Sequence, residues 1–346
     1  TNANTVNYTG ATQTVKAVAY KTLGLSGSGA KTMTGVTTIG TDFNMSGSAT
    51  ATPVITTVGG NVSITGTAVM TTGANNVVTG SLTVGSGAAL TMGGFSLSIG
   101  TTSSVTGTVN TATAATGTKT FTGAVTINSG GVWDLSGQNP ATSFAGNITM
   151  SGTTFNNGTG AAAFSATNQS LLGANAMTFG GTLTPALGTT LTNSNSSTVT
   201  VSSTGSIVLT GNFTQGLNTP TLSLAAVAPF SGAGTFDAST NANTVTYTGA
   251  SAAVLATTYS SLTINGTGTA TIDGTTTVNA TMTVSSATTN NSTLTVTTAL
   301  SGAGTLTQGA GSTLNIGGTS GITGLDASTN ANTVNYTGAT QTVKAV

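Results

Sequence analysis

The chain is 346 residues long with 3% charged residues, where an ordinary soluble domain carries roughly 25%. Five Lys balance five Asp, and Arg, Glu, His and Cys are absent. Without imidazole or thiol the common general acid–base, the usual zinc ligands and the thiolate nucleophile are all missing, so the composition points away from enzymes and predicts no catalytic residue, cofactor or metal site.

A formal net charge of zero gives phosphate backbones nothing to bind, which argues against a nucleic-acid partner. The longest apolar stretch, Leu224 to Phe230 with a Pro inside it, is far shorter than a spanning helix needs, so no membrane-spanning segment is expected. With no disulfides, stability must come from the backbone ladder.

In chain order, the opening segment 1–46 alternates short apolar runs with Gly-rich turns such as Gly27-Ser-Gly29. Beyond it the same shape recurs: Ser81–Val84, Ala89–Met92, Ser96–Ile99, Ala124–Ile127, Asn147–Met150, Ser261–Ile264, Thr281–Val284 and Thr293–Val296. Each reads apolar, small polar, apolar, the pattern of a strand with one buried face. Gly59-Gly60, Gly93-Gly94, Gly180-Gly181, Asn157-Gly158 and Asn265-Gly266 mark the turns. Helix is disfavoured throughout, because Gly, Thr, Ser, Asn and Val are poor helix formers and no stretch places apolar residues at helical spacing.

Repeats organise these strands. Residues 329–346 are identical to 1–18, and a third copy, in which Thr240 matches Thr1, follows the N-terminal sequence in constant register to about Ser285. Tyr8 and Tyr20 fall on Tyr247 and Tyr259, and Leu23, Leu25 and Phe43 fall on Leu262, Ile264 and Met282. The flank Asp-Ala-Ser precedes two copies, at Asp237 and Asp326. Thr1 opens without an initiating Met or a signal-peptide core, which predicts a processed product or a window cut from something longer. The domain reading is therefore one continuous window, 1–346, holding about one period (1–328) and the start of the next (329–346), with related sub-repeats at 1–46, 237–285 and 326–346.

Strands this short and this evenly punctuated predict an all-β fold, a β-solenoid or parallel β-helix in a tandem array. At about 22 residues per coil and about 4.8 Å per layer, a period makes about 15 coils around a thin aliphatic core. The competing string of immunoglobulin-like sandwiches would want longer strands and a richer aromatic core than a chain with one Trp, Trp133.

The run Val6-Asn-Tyr-Thr-Gly10, then Gln13-Thr-Val15, Tyr20-Lys-Thr-Leu-Gly-Leu25 and Ser26-Gly-Ser-Gly-Ala-Lys-Thr32 resembles the repeats of very large, secreted bacterial surface proteins with parallel β-helix, adhesin-like architecture. The resemblance covers segments 1–46, 237–285 and 326–346. It implies export, a cell-surface or extracellular location and an elongated architecture, rather than an activity.

The polar residues suit such a rod. Asp42, Asp134, Asp237, Asp273 and Asp326 fit turns better than a paired-carboxylate site. Lys16, Lys21, Lys31 and Lys344 gather near the repeat junction, with Lys119 apart, and are expected to protect edges or make solvated contacts. So little else titrates that stability should be flat between about pH 5 and 9. Tyr8, Tyr20, Tyr247, Tyr259 and Tyr336 recur with the junction motif, either as lateral contacts between fibres or as packing over a solenoid corner. Asn7, Asn44, Asn61, Asn147 and Asn265 stand in Asn-x-Ser/Thr glycosylation sequons.

The expected function is a structural extracellular fibre or surface stalk for adhesion or matrix scaffolding. Its expected partners are itself, as continuation of the chain or as identical fibres, together with glycans or environmental surfaces. The alternative is an ice-binding or ligand-binding Thr-rich solenoid, suggested by Thr-x-Thr at Thr65/Thr67, Thr106/Thr108, Thr182/Thr184, Thr281/Thr283 and Thr293/Thr295. The intervals between these pairs are irregular, so the sequence does not place them on one face.

Overall fold

The computed structural model describes residues 4–112, 116–328 and 331–344; the first three residues of the N-terminal repeat copy, and Thr329, Asn330, Ala345 and Val346 of the last, lie outside them. The chain forms two compact units, Thr1–Phe179 and Gly180–Val346. Each is an all-β parallel β-solenoid of short strands in stacked coils, and no helix occurs among the described residues.

In the first unit every full coil visits three sheets in turn. One coil runs through Phe43–Met45, Ser48–Ala51 and Thr57–Val58, the next through Val62–Ile64, Val69–Thr71 and Asn76–Val78. Each of these strands pairs with its counterpart one coil away. The apolar–polar–apolar triplets explain this arrangement. A two-residue side-chain period turns both apolar residues inward and the small polar one outward. Register then stacks like on like: Leu23, Phe43, Val62 and Leu82 form one buried file, and Leu25, Met45, Ile64 and Val84 the next.

The coils are not uniform. Thr5 lies opposite Thr22 in a short coil, Leu23 opposite Phe43 in a longer one, and Val125 opposite Ile148 in one longer still. Aromatic rings stack from coil to coil: Phe121 on Phe144 at 5.6 Å, Phe144 on Phe164 at 5.5 Å, and Trp133 on Phe155 at 5.9 Å. The core is mostly aliphatic, as composition leads one to expect, with this aromatic stack set into it.

Corners are set by glycine. Gly27, Gly47 and Gly66 follow one another up one edge with φ of 73°, 64° and 67°, a left-handed conformation that glycine adopts without steric penalty. A Cβ on Gly47 would lie 2.4 Å from the Gly27 carbonyl oxygen of the coil beneath, so the edge closes only without a side chain.

In the second unit the sheet that begins with Thr198–Val201 continues through Thr221–Leu224, Thr244–Tyr247, Ser261–Ile264, Thr281–Val284 and Ala299–Gln308. Its inward file is Val199, Leu222, Val245, Leu262, Met282 and Leu300, all fully buried. Inward amides are paired across coils: Asn193 donates through Nδ2 to Gln215 Oε1 at 2.8 Å, and Asn290 to Gln308 Oε1 at 2.9 Å.

The aromatic stack sets a stability expectation. Phe144→Ala removes the ring between Phe121 and Phe164 and should cost about 3–5 kcal/mol in denaturant unfolding. Because contacts run only between neighbouring coils, amide exchange should speed up around Phe121, Phe144 and Phe164 and stay unchanged near Leu25.

Candidate functional site

The tyrosines resolve into a corner clamp built twice. In the second unit Leu255 donates its amide to Tyr247 Oη at 3.0 Å, Tyr259 Oη donates to the Leu255 carbonyl at 2.7 Å, and the two hydroxyls meet at 2.8 Å. Since the Tyr259 proton goes to the carbonyl, Tyr247 is the donor in the shared bond. In the first unit Lys16 takes the place of Leu255, with contacts to Tyr8 and Tyr20 of 3.0 and 2.7 Å and a hydroxyl pair at 2.8 Å. In the last copy the Lys344 amide donates to Tyr336 Oη at 2.9 Å.

In each complete clamp one residue, eight positions after the first tyrosine, thus has both its peptide groups held by phenols. The clamp lies in the shortest coils, where Thr5 faces Thr22 and Thr244 faces Ser261. The segment after Tyr8 or Tyr247 turns away from the ladder, and the hydroxyls supply the partners that the ladder does not.

Burial decides between the two readings of these side chains. Tyr247 and Tyr259 are fully buried and Tyr20 nearly so, so these three offer no surface to a neighbouring fibre and the lateral-contact expectation is corrected for them. Tyr8 and Tyr336 are half-buried, with their hydroxyls engaged in the same corner.

The lysines also depart from expectation. Lys16 and Lys21 are exposed and Lys344 is half-buried, but Lys31 and Lys119 are buried. Lys119 Nζ donates to the Gly93 carbonyl at 2.9 Å and to that of Phe95; Lys31 Nζ donates to the carbonyls of Gly10 and Ala11. Two glutamines do the same without charge. Gln169 Nε2 reaches the Phe144 and Gly146 carbonyls, both at 3.0 Å, and Gln341 Nε2 those of Ile316 and Gly318. At these corners the chain turns, and an N–H donor from the next coil reaches the carbonyls there; those of Phe144 and Ile316 also accept the amides of Ser165 and Thr337. Sequence reasoning missed this role; an isolated Lys or Gln at an apolar strand position was the available signal.

The carboxylates sit in local turns. Asp134, Asp237 and Asp326 each accept from the amide and hydroxyl of the serine two positions on, and the Ser328 amide holds the Asp326 carboxyl below its usual range. Asp42 accepts the Asn61 amide at 2.8 Å, and Asp273 accepts from Thr271 and Asn291. Among the described residues no three His, Cys, Asp or Glu converge. Among them, too, no helix is long and apolar enough to cross a membrane.

All five sequon asparagines are exposed. Asn61 Oδ1 accepts from the Ser81 amide and hydroxyl, and Asn147 Oδ1 from the Ser170 amide, each one coil on. Asn7 and Asn44 lie on strands of the first sheet, and Asn265 stands at a strand end.

What remains is a surface of hydroxyls. In the second unit the outward residues of one sheet form two ranks. Thr198, Thr221, Thr244, Ser261, Thr281 and Ala299 make the first; Thr200, Ser223, Thr246, Thr263, Thr283 and Ser301 make the second. Of the expected Thr-x-Thr pairs only Thr281/Thr283 belongs to this face. Thr293/Thr295 lies on another sheet beside Thr313 and Asn315, Thr182/Thr184 at the strand Leu183–Pro185, Thr65/Thr67 at a turn between strands, and Thr106/Thr108 runs from a turn into the strand Thr108–Thr111.

The chain matches no protein-family model, no curated protein and no solved structure.

The clamp should be measurable in stability. Tyr259→Phe removes the donor to the Leu255 carbonyl and an acceptor for Tyr247, and should cost about 1–3 kcal/mol by denaturant unfolding; Tyr336→Phe, in a half-buried corner, should cost less.

The buried titratable groups set a pH dependence. Burial pushes Tyr247 up to about 12, and burial with the Tyr8 hydrogen bond does the same for Tyr20. Burial pushes Lys119 down to about 8 from the ordinary 10.5, correcting the expectation that stability is flat to about pH 9. The folded Lys119 loses its proton first, so stability should rise as pH climbs from about 8 toward 10.5. The phenols keep their protons in the fold while unfolded tyrosines ionise near 10, so their contribution is complete below pH 10 and is lost as pH rises toward about 12. Chemical denaturation across this range should pass through a maximum, and Lys119→Met should remove its rising limb.

Proposed function

We propose that this chain is a structural, non-enzymatic segment of an extracellular fibre or cell-surface stalk, built of tandem solenoid repeats and serving adhesion or matrix scaffolding. The observation that carries the reading is the behaviour of the repeated strand Thr-Val-x-Tyr. As Thr5–Tyr8 it receives Thr22–Leu25 on one side; as Thr333–Tyr336 it lies on Thr313–Ile316 on the other. The middle copy, Thr244–Tyr247, is sandwiched between Thr221–Leu224 and Ser261–Ile264. The junction motif is thus suited to both a preceding and a following coil, which is what an array requires.

The rest of the surface agrees with a mechanical role. A rod whose ladder supplies its cohesion needs no metal or disulfide, and a hydroxyl-rich exterior with balanced, sparse charge gives salt little to screen. Bacterial origin, export and adhesion come from the resemblance of the junction repeats and belong to this proposal. The exposed sequon asparagines leave room for glycans, which would keep an uncharged fibre dispersed.

Cryo-electron microscopy of native material tests the reading. Filaments with an axial layer spacing of about 4.8 Å are the expected result, and discrete globular particles would overturn it.

A further inference from the structure

The geometry points to the two-rank hydroxyl face of the Gly180–Val346 unit as an ice-binding surface, on which threonine hydroxyl and methyl groups order a layer of water that joins the ice lattice. This surface role goes beyond the fibre reading and does not rest on it.

Irregular sequence spacing hides the face. Thr198 to Thr221 and Thr221 to Thr244 are equal long steps, Thr263 to Thr283 is shorter, and Thr244 to Ser261 and Thr281 to Ala299 are shorter again. The difference is taken up at the corners, while the ladder keeps every strand in register. Eleven of the twelve positions in the two ranks carry a hydroxyl, Ala299 being the exception.

Parallel-sheet geometry sets the lattice: about 4.8 Å between coils and about 6.6 Å between outward residues along a strand. These two repeats approach those of the oxygen rows on the prism face of hexagonal ice. Threonine adds rigidity, since its β-branch restricts χ1 and little side-chain freedom remains to be lost when water orders over it. The ranks carry no charge that would impose its own hydration shell. Thr283 meets Ser301 at 3.4 Å and Ser301 donates to the Met282 carbonyl, whereas the other hydroxyls of the ranks are left to solvent.

The occupant follows from what the face lacks. It is open sheet rather than the concavity a small molecule needs, and with no aromatic residue in either rank it has no platform for sugar rings. A periodic uncharged plane of hydroxyls and methyls fits a periodic ligand made of water.

The test is partition of the fluorescently labelled full chain into a slowly growing ice crystal, with folding verified by circular dichroism. Enrichment in the ice is expected. Thr246→Lys, at the centre of the face, should abolish it, and Thr246→Val, which keeps the shape and deletes the hydroxyl, should lessen it. Thr126→Lys, at an outward position of the first sheet of the other unit, should leave it unchanged. Exclusion of the folded wild-type chain from ice overturns the proposal, as does an equal loss in Thr126→Lys and Thr246→Lys. Sedimentation as a paired species that Thr246→Lys dissociates, without ice enrichment, also overturns it and assigns the face to a second copy. Filament formation is read separately, so the fibre reading stands or falls on its own.

Discussion

The parallel hydrogen-bond ladder between coils governs the rest of this protein. Each short strand has too few residues to be stable alone, and its backbone groups are satisfied only when the coils above and below lie in register. That requirement fixes the strands and leaves the corners free. Coils as short as the one from Thr5 to Thr22 and as long as the one from Val125 to Ile148 both keep their strands in register, because the added residues lie between strands and do not shift the ladder.

The exceptions mark where the ladder cannot reach. At corners where the chain turns, a Lys or Gln from the next coil caps the carbonyls, as Lys119 does for Gly93 and Gln169 for Gly146. In the shortest coils the ladder skips a residue, and two phenols grip its amide and carbonyl. The charges of Lys31 and Lys119 thus serve backbone satisfaction, and in a chain with five lysines and five aspartates these buried lysines are held by carbonyls rather than by carboxylates. A buried lysine without a carboxylate partner is costly, and at Lys119 burial lowers the proton affinity accordingly.

The faces then follow from what the ladder exposes. Inward files are apolar, mostly Val, Leu, Ile and Met, with rings stacked from Phe121 to Phe164. Outward files need only be small, β-favouring and polar, and threonine meets all three conditions. A two-dimensional hydroxyl lattice is therefore a by-product of solenoid regularity, open to use as soon as register brings its rows together.

Fold class was legible in the residues themselves: the apolar–polar–apolar triplets, the Gly27-Ser-Gly29 turn and the repeated Thr-Val-x-Tyr segments announce stacked parallel strands, because side-chain period and glycine's left-handed backbone are local properties. That Tyr8 and Tyr20 travel together with Tyr247 and Tyr259 was legible as well. What those tyrosines do came only from the folded coils, as did the inward turn of Lys31 and Lys119, the stacking of rings from coil to coil, and the shared rank of Thr200, Thr246 and Thr283. All of these depend on which residues lie opposite one another a coil apart, and with corners of variable length the count of residues between strands does not reveal it.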